Sequence, residues 1–148
     1  MGDIIGYKNI KQYYVMFKII ENQLATEGIH EFSYHELKDV DYETGGITDI
    51  VWPVADVRDL YDDDSNDLED YEKKIDLAWE LLQKNGRVVI CCVAGISRSN
   101  AIALGVLVKY FAMDFYDAWE LVKERAPRAN INPNHISKLK KLFNITPS

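Results

Sequence analysis

Residues 87–99 read Arg-Val-Val-Ile-Cys-Cys-Val-Ala-Gly-Ile-Ser-Arg-Ser, and this stretch joins two regular elements through a tight loop. Its apolar, β-branched part, 88–90, predicts a buried strand that ends in two cysteines. A turn of small residues around Gly95 follows. The apolar segment 101–108 behind it is long enough for a buried helix. The order of strand, loop and helix is typical of an α/β domain.

This loop has the chemistry of an anion site. A loop that enters a helix N-terminus directs several backbone N–H groups at one spot, and the helix dipole favours an anion there. Such a turn needs no metal to bind its anion. Arg98 adds a planar guanidinium that can hold two phosphate oxygens at once. The same positive potential favours the nucleophilic thiolate of Cys92, so the loop combines a nucleophile with a phosphate site and indicates phosphoryl transfer.

The pattern Cys92-x5-Arg98-Ser99 resembles the signature of the cysteine-dependent protein tyrosine phosphatases, and residues 95–99 are similar to their dual-specificity branch. The resemblance is close from Pro53 to about Phe143. It implies the α/β fold of that superfamily, with a mixed, largely parallel sheet of four to five strands flanked by helices. It also implies a reaction through a cysteinyl-phosphate intermediate, without a metal or a cofactor.

The resemblance assigns roles within the motif residue by residue. Cys92 matches the nucleophile, Arg98 the phosphate ligand, and Ser99 the hydroxyl that stabilises the departing thiolate. Asn134 matches an asparagine that supports the phosphate loop, although capping of the last helix also explains it. The phosphate-binding loop that this match implies consists of Val93, Ala94, Gly95, Ile96, Ser97 and Arg98.

Cys91 departs from the family pattern, which usually has a histidine at this loop-support position. A thiol is a weak donor without positive charge, and alternation along the strand points Cys91 away from Cys92. We therefore expect a slower but active enzyme. The filling of apolar space is an alternative role for Cys91.

Residues 47–56 predict a strand that runs into a loop, with Pro53 at an edge or a strand exit. The segment Pro53-Val54-Ala55-Asp56 resembles the family segment that carries the general acid, which makes Asp56 the predicted proton donor to the leaving group. Asp56 precedes Cys92 by more residues than the family usually has, and an insertion in the acidic loop accounts for this. Asp59 is the alternative acid. The carboxylates of 56–67 otherwise predict a solvated face, because their spacing does not match a calcium-binding EF-hand loop.

Local patterns predict the remaining elements. Aromatic and β-branched residues indicate a strand over 13–20, whereas 21–42 shows no clear period. Apolar spacing predicts a helix over about 67–84, with a capping box at Asn66 and Glu69 and a left-handed cap at 85–86.

Two more helices are predicted after 101–108. Asp114 caps the first, and Pro127 ends it. The second follows Asn134 and places His135 at the surface.

Composition favours one intracellular domain over residues 1–148. The length suits a single domain, and two adjacent cysteines offer no disulfide framework, which fits the reducing cytoplasm. The chain shows no signal sequence and no apolar run that approaches a membrane span. A net charge of −7 argues against nucleic-acid binding. We expect a monomer that acts on phosphorylated proteins, without nucleic-acid or membrane partners.

The predicted function is hydrolysis of phosphotyrosine, and of phosphoserine and phosphothreonine, in proteins. A phosphate-binding pseudophosphatase stays an alternative because of Cys91. A phosphatase of RNA 5′ ends or of other non-protein phosphates is a second alternative, which the acidic composition disfavours. The absence of lysine between Cys92 and Arg98 favours protein substrates over phosphoinositides.

Overall fold

The computed structural model describes residues 16–29, 35–40 and 46–146. Within this part of the chain, the strands are β1 (Phe17–Ile20), β2 (Leu24–Gly28), β3 (Glu36–Val40), β4 (Ile47–Asp56) and β5 (Val88–Cys92). They form one five-stranded sheet in the order β1-β2-β5-β4-β3. The central strand β5 is parallel to β2 and β4, whereas the outer pairs are antiparallel. The predicted α/β fold with a mixed sheet is confirmed.

The helices of the described residues are α1 (Leu68–Asn85), α2 (Arg98–Tyr110), α3 (Phe115–Arg125) and α4 (Pro133–Leu142). Each predicted helix is confirmed, as are the left-handed cap of α1 at Gly86 and the cap of α3 at Asp114. Helix α2 is buried over 99–107, so it forms the centre of the helical layer. No helix in the described ranges has the length and apolar character to span a membrane.

Strand β5 is buried along its whole length because both of its faces pack against a core. Ile90 and Cys92 belong to the larger core, which the helices cover. Val89 and Cys91 belong to a smaller core around Trp52 on the other face. The predicted opposite directions of Cys91 and Cys92 are therefore confirmed.

The start of α1 corrects one prediction. The capping residue is Asp67, whose backbone N–H donates to the Asp70 carboxylate at 2.7 Å, so the predicted capping box at Asn66 and Glu69 is wrong. Asn66 is instead buried, with its side chain bonded to the backbone of Tyr61. The buried hydrogen bonds of Asn66 contribute more to stability than an exposed capping bond would, because a buried polar group without partners costs its full desolvation free energy.

The predicted strand over 47–56 is confirmed as β4, but Pro53 is not the point at which this strand leaves the sheet. Pro53 pairs with Glu36 of β3, and from Val54 onward the strand pairs with β5. Pro53 therefore lies where β4 changes its partner, a position that tolerates a residue without an N–H group. Strands β2 and β3 were not predicted. Of the predicted opening strand, 17–20 is confirmed and 13–15 lies outside the described residues.

Glu27 of β2 carries a largely enclosed carboxyl group. Its Oε1 accepts a hydrogen bond from the Gly28 N–H at 2.8 Å, and its Oε2 has no hydrogen-bond partner among the described residues. Burial raises the pKa of Glu27 from its ordinary value of 4.5 to about 8. The folded chain therefore retains a proton that the unfolded chain releases, and stability falls as the pH rises between these two values.

We expect Glu27→Gln to stabilise the folded protein at about pH 9, by roughly 1 kcal/mol or more, because it removes the cost of ionising a buried carboxyl. At about pH 4 the glutamic acid of the wild type and the glutamine of the variant are both neutral, so the unfolding free energies of the two proteins agree closely. Urea unfolding at the two pH values measures this difference. An equal effect at both would contradict the assignment of a raised pKa to Glu27.

Candidate active site

The loop between β5 and α2 winds around the side chain of Cys92, which is 2% exposed. The Gly95 N–H donates a hydrogen bond to Cys92 Sγ at 3.3 Å, and Ser99 Oγ lies 3.3 Å from the same sulfur. Gly95 has a φ of +70°, in the left-handed region that glycine adopts without strain. This conformation directs its N–H at the sulfur. The turn therefore places one backbone N–H and one hydroxyl in contact with the sulfur.

The end of β2 supports this loop from one side. The Ile29 N–H donates to the Cys92 carbonyl at 2.7 Å. A Cβ atom added at Gly28 would lie 2.8 Å from the carbonyl oxygen of Val93, and one added at Gly95 would lie 2.9 Å from the Gly28 nitrogen. Both glycines are therefore required for the close approach of the two backbones.

Asparagines support the loop from the other side. Asn100, fully buried in the first turn of α2, donates from Nδ2 to the carbonyls of Gly95 at 3.1 Å and Ile96 at 3.0 Å. Sequence reasoning missed Asn100, although a polar residue in an apolar helix was a usable signal. Asn132 caps α4, and its N–H donates to Ser97 Oγ at 2.9 Å.

Asn134, the predicted loop support, is exposed in the first turn of α4. Its backbone N–H donates to Asn132 Oδ1 at 2.9 Å. Asn132, rather than Asn134, is therefore the helix cap. A loop-support role for Asn134 stays a prediction.

A cavity of about 420 Å³ opens above the loop, within the range of about 300–1,000 Å³ that is common for small-ligand sites. It brings together Cys92, part of the predicted phosphate loop, one carboxylate and residues around the start of α4. Its lining consists of Asp62, Cys92, Ala94, Ile96, Ser97, Arg98, Asn130, Asn132 and Pro133.

Arg98 lines the cavity and also holds the acidic loop in place. Its Nη1 donates to the carbonyls of Arg58 at 2.8 Å and Leu60 at 2.9 Å. The half-buried guanidinium thus connects the phosphate loop with the segment after β4. Its other N–H groups have no hydrogen-bond partner in the part of the chain that the structure describes.

Asp56, the predicted acid, does not line this cavity. It pairs in register with Cys91, so its side chain points to the face of the sheet opposite Cys92. The Arg58 side chain donates to its carboxylate at 2.7–3.2 Å. Burial alone would raise the pKa of Asp56, but the hydrogen bonds and charge of Arg58 outweigh burial and lower it. Asp56 is therefore ionised at neutral pH.

The alternative acid Asp59 is also directed elsewhere. Its carboxylate pairs with Lys74 of α1 at 2.9 Å, and the Asp59 side chain is 69% exposed. Neither predicted acid therefore lies in the cavity with Cys92.

Asp62 is a cavity carboxylate that sequence reasoning missed. Its Oδ1 accepts a hydrogen bond from Ser97 Oγ at 2.8 Å and lies 2.7 Å from His135 Nε2. The predicted surface position of His135 is wrong, because its ring is fully buried. Burial is possible because Nδ1 has its own partner, the Tyr71 hydroxyl at 2.7 Å.

Cys91 lies outside the cavity, in the smaller core beside Trp52. Burial, together with the nearby carboxylate of Glu27, raises the pKa of Cys91 well above its usual value. The thiol is therefore neutral and fills apolar space, as the alternative interpretation expects. Its predicted loop-support role is not tested by these contacts.

A family model described as "Dual specificity phosphatase, catalytic domain" matches residues 15–145. Human dual specificity protein phosphatase 21 is 37% identical over 92 residues, which cover 61% of this chain and 44% of that protein. The chain spans less than half the length of the curated relatives it matches.

Solved structures show the same architecture. Human DUSP28 superposes with a TM-score of 0.53 and 26% identity, over 57% of this chain and 60% of that one. Tk-PTP, described in its active form, superposes with a TM-score of 0.58 over 88% of this chain and 97% of that one. Its identity of 15% supports the fold alone.

We expect Asn100→Ala to weaken the loop, because the carbonyls of Gly95 and Ile96 lose a buried donor. The unfolding free energy falls by about 1–3 kcal/mol, and binding of inorganic phosphate weakens. Urea unfolding and calorimetric titration with phosphate measure the two effects. The comparison variant is Asn134→Ala, at an exposed position. A larger loss of phosphate binding in Asn134→Ala than in Asn100→Ala would show that Asn134 is the support that the motif predicts.

Proposed function

The chain belongs to the dual specificity phosphatase family of catalytic domains, and from that premise we propose that it removes phosphoryl groups from phosphorylated proteins. The observation that carries the proposal is the juxtaposition of Cys92 and Arg98 in one cavity above a loop of backbone N–H groups. We propose phosphotyrosine, phosphoserine and phosphothreonine residues as substrates.

In the proposed reaction, Cys92 Sγ attacks phosphorus in line with the leaving oxygen. The S–P bond forms as the P–O bond breaks. The amides of 93–98 and the Arg98 guanidinium hold the phosphoryl oxygens and balance their charge. In other enzymes a metal ion stabilises this charge. The 3.3 Å separation of Ser99 Oγ from the sulfur supports its proposed role, donation to the thiolate.

A carboxylic acid protonates the leaving oxygen in the first step, and water releases inorganic phosphate in the second. The motif assigns this acid to Asp56, with Asp59 as the alternative. A pH–rate profile of Asp56→Asn tests the assignment, because loss of the general acid removes the decline of activity at high pH.

We further propose that residues 1–148 act as one monomeric catalytic domain in the cytoplasm. The cysteine chemistry supports the cytoplasmic location, since a reducing compartment protects a thiolate nucleophile from oxidation. The carboxylates of 56–67 and the net charge of −7 favour proteins over nucleic acids as substrates, because both repel a polyanion.

We expect Cys92→Ser to lower hydrolysis of para-nitrophenyl phosphate and of phosphopeptides by more than about 10³-fold, since a serine hydroxyl without a base is a weak nucleophile. Arg98→Lys loses the bidentate fork and also lowers kcat/KM. Phosphate release in the presence of EDTA measures both. The comparison variant is Cys91→Ser, one residue away on the other face of the sheet, in which we expect a much smaller loss of activity than in Cys92→Ser.

Retention of turnover in Cys92→Ser would contradict the proposed mechanism. Binding of phosphopeptide without turnover by the wild type would indicate the pseudophosphatase alternative. Preferential release of phosphate from RNA 5′ ends would indicate the non-protein alternative.

A further inference from the structure

The cavity that holds Cys92 contains a carboxylate at a position that the motif does not assign. Asp62 lines this cavity together with Cys92 and Arg98. The carboxylates of Asp56 and Asp59 are engaged by Arg58 and Lys74 outside it. Proximity to the reacting atoms therefore favours Asp62 as a participant in the chemistry.

Asp62 is held in one orientation from two directions. Ser97 Oγ and His135 Nε2 both contact its Oδ1, at 2.8 and 2.7 Å. The Asn132 side chain donates to the Asp62 backbone carbonyl at 2.8 Å. The Asp62 side chain is still 49% exposed. These contacts hold Oδ1, and Oδ2 of this half-exposed side chain has no hydrogen-bond partner among the described residues.

The support behind Asp62 is a continuous buried chain of hydrogen bonds. His135 Nδ1 lies 2.7 Å from the Tyr71 hydroxyl, which accepts from Asn66 Nδ2 at 3.3 Å. Burial raises the pKa of Tyr71, so its hydroxyl keeps its proton and can donate to Nδ1. His135 Nε2 lies 2.7 Å from Asp62 Oδ1, so the imidazole ring connects Tyr71 to Asp62 through its two nitrogens.

We propose that Asp62 is the general acid of this site and that His135 is its positioning residue, an inference that rests on the proposed phosphatase function. The proton leaves Oδ2 for the leaving oxygen as the P–O bond breaks and the S–P bond forms. The Asp62 carboxylate then accepts a proton from the attacking water as the S–P bond breaks. Phosphate and the Cys92 thiolate are released, and the acid is restored.

The ionisable groups around Asp62 come from three elements. Cys92 and Arg98 line the same cavity as Asp62, from the end of β5 and the start of α2, and His135 contacts Asp62 from α4. Tyr71 of α1 acts through His135. These groups also contribute to a pH–rate profile. The contribution of Asp62 is therefore taken from the difference between the profiles of wild type and the Asp62 and His135 variants.

The test compares Asp62→Asn with wild type on two substrates, para-nitrophenyl phosphate with a good leaving group and phenyl phosphate with a poor one. A poor leaving group depends more on protonation, so we expect a loss of about 10²–10⁴-fold on phenyl phosphate and a smaller loss on the activated ester. The decline of kcat/KM at high pH disappears. Asp63→Asn, on an exposed neighbour, is the control and keeps wild-type values on both.

Variants of His135 test its positioning role by the ratio of the phenyl phosphate rate to the para-nitrophenyl phosphate rate. His135→Leu lowers the phenyl phosphate rate more than the nitrophenyl rate, and His135→Gln restores part of it, because its amide can donate where Nε2 does. Tyr71→Phe changes the ratio in the same direction without altering the packing of the ring. Equal losses on both substrates in all three variants would mean that His135 only stabilises the fold, and would overturn its positioning role.

The outcomes separate this inference from the proposed function. Absence of Cys92-dependent turnover in the wild type would overturn both. Cys92-dependent turnover with an unchanged leaving-group ratio in Asp62→Asn would overturn the role of Asp62 alone. A leaving-group-dependent loss confined to Asp56→Asn would return the acid to the position that the motif predicts.

Discussion

The close approach of two backbones, at Gly28 and at Gly95, is the constraint on which the rest of the site depends. Gly28 and Cys92 are paired in register at the ends of β2 and β5, and the Ile29 N–H continues the ladder to the Cys92 carbonyl at 2.7 Å. The sheet thereby sets the point at which the chain leaves β5. From that point the left-handed turn at Gly95 returns an N–H to the sulfur. Any side chain at either glycine would push the loop away from this geometry.

The central strand also separates two adjacent thiols into opposite electrostatic environments. Cys92 accepts a hydrogen bond from the Gly95 N–H and shares its cavity with the guanidinium of Arg98. Cys91 shares its register with Glu27 and Asp56 on the other face, where burial and carboxylates favour the neutral thiol. The same alternation that makes Cys92 the nucleophile candidate directs Asp56 away from it. The position of the acid is thus coupled to strand register, which a motif match alone does not show.

The sequence was sufficient to predict the strand–loop–helix unit and all four described helices, because these depend on local apolar periodicity and on capping residues. Strands β2 and β3 were missed because 21–42 has no period of its own and acquires strand structure by pairing with β5 and β4. The positions of Asp62 and His135 were missed for a related reason. Their contact joins residues 73 positions apart, so only the folded chain reveals it. A single histidine in the first turn of an amphipathic helix carries no signal of burial.

Trapping of a phosphorylated intermediate would identify Cys92 as the nucleophile of the proposed phosphoryl-transfer site. The wild-type protein is mixed with excess para-nitrophenyl phosphate, quenched in acid within the first turnovers, digested and analysed by tandem mass spectrometry. We expect one added phosphoryl group on the peptide that contains both cysteines, with fragment ions that assign it to Cys92, and none in Cys92→Ser. A phosphoryl group on Cys91 or on another residue, or turnover without any phosphorylated peptide, would contradict this assignment.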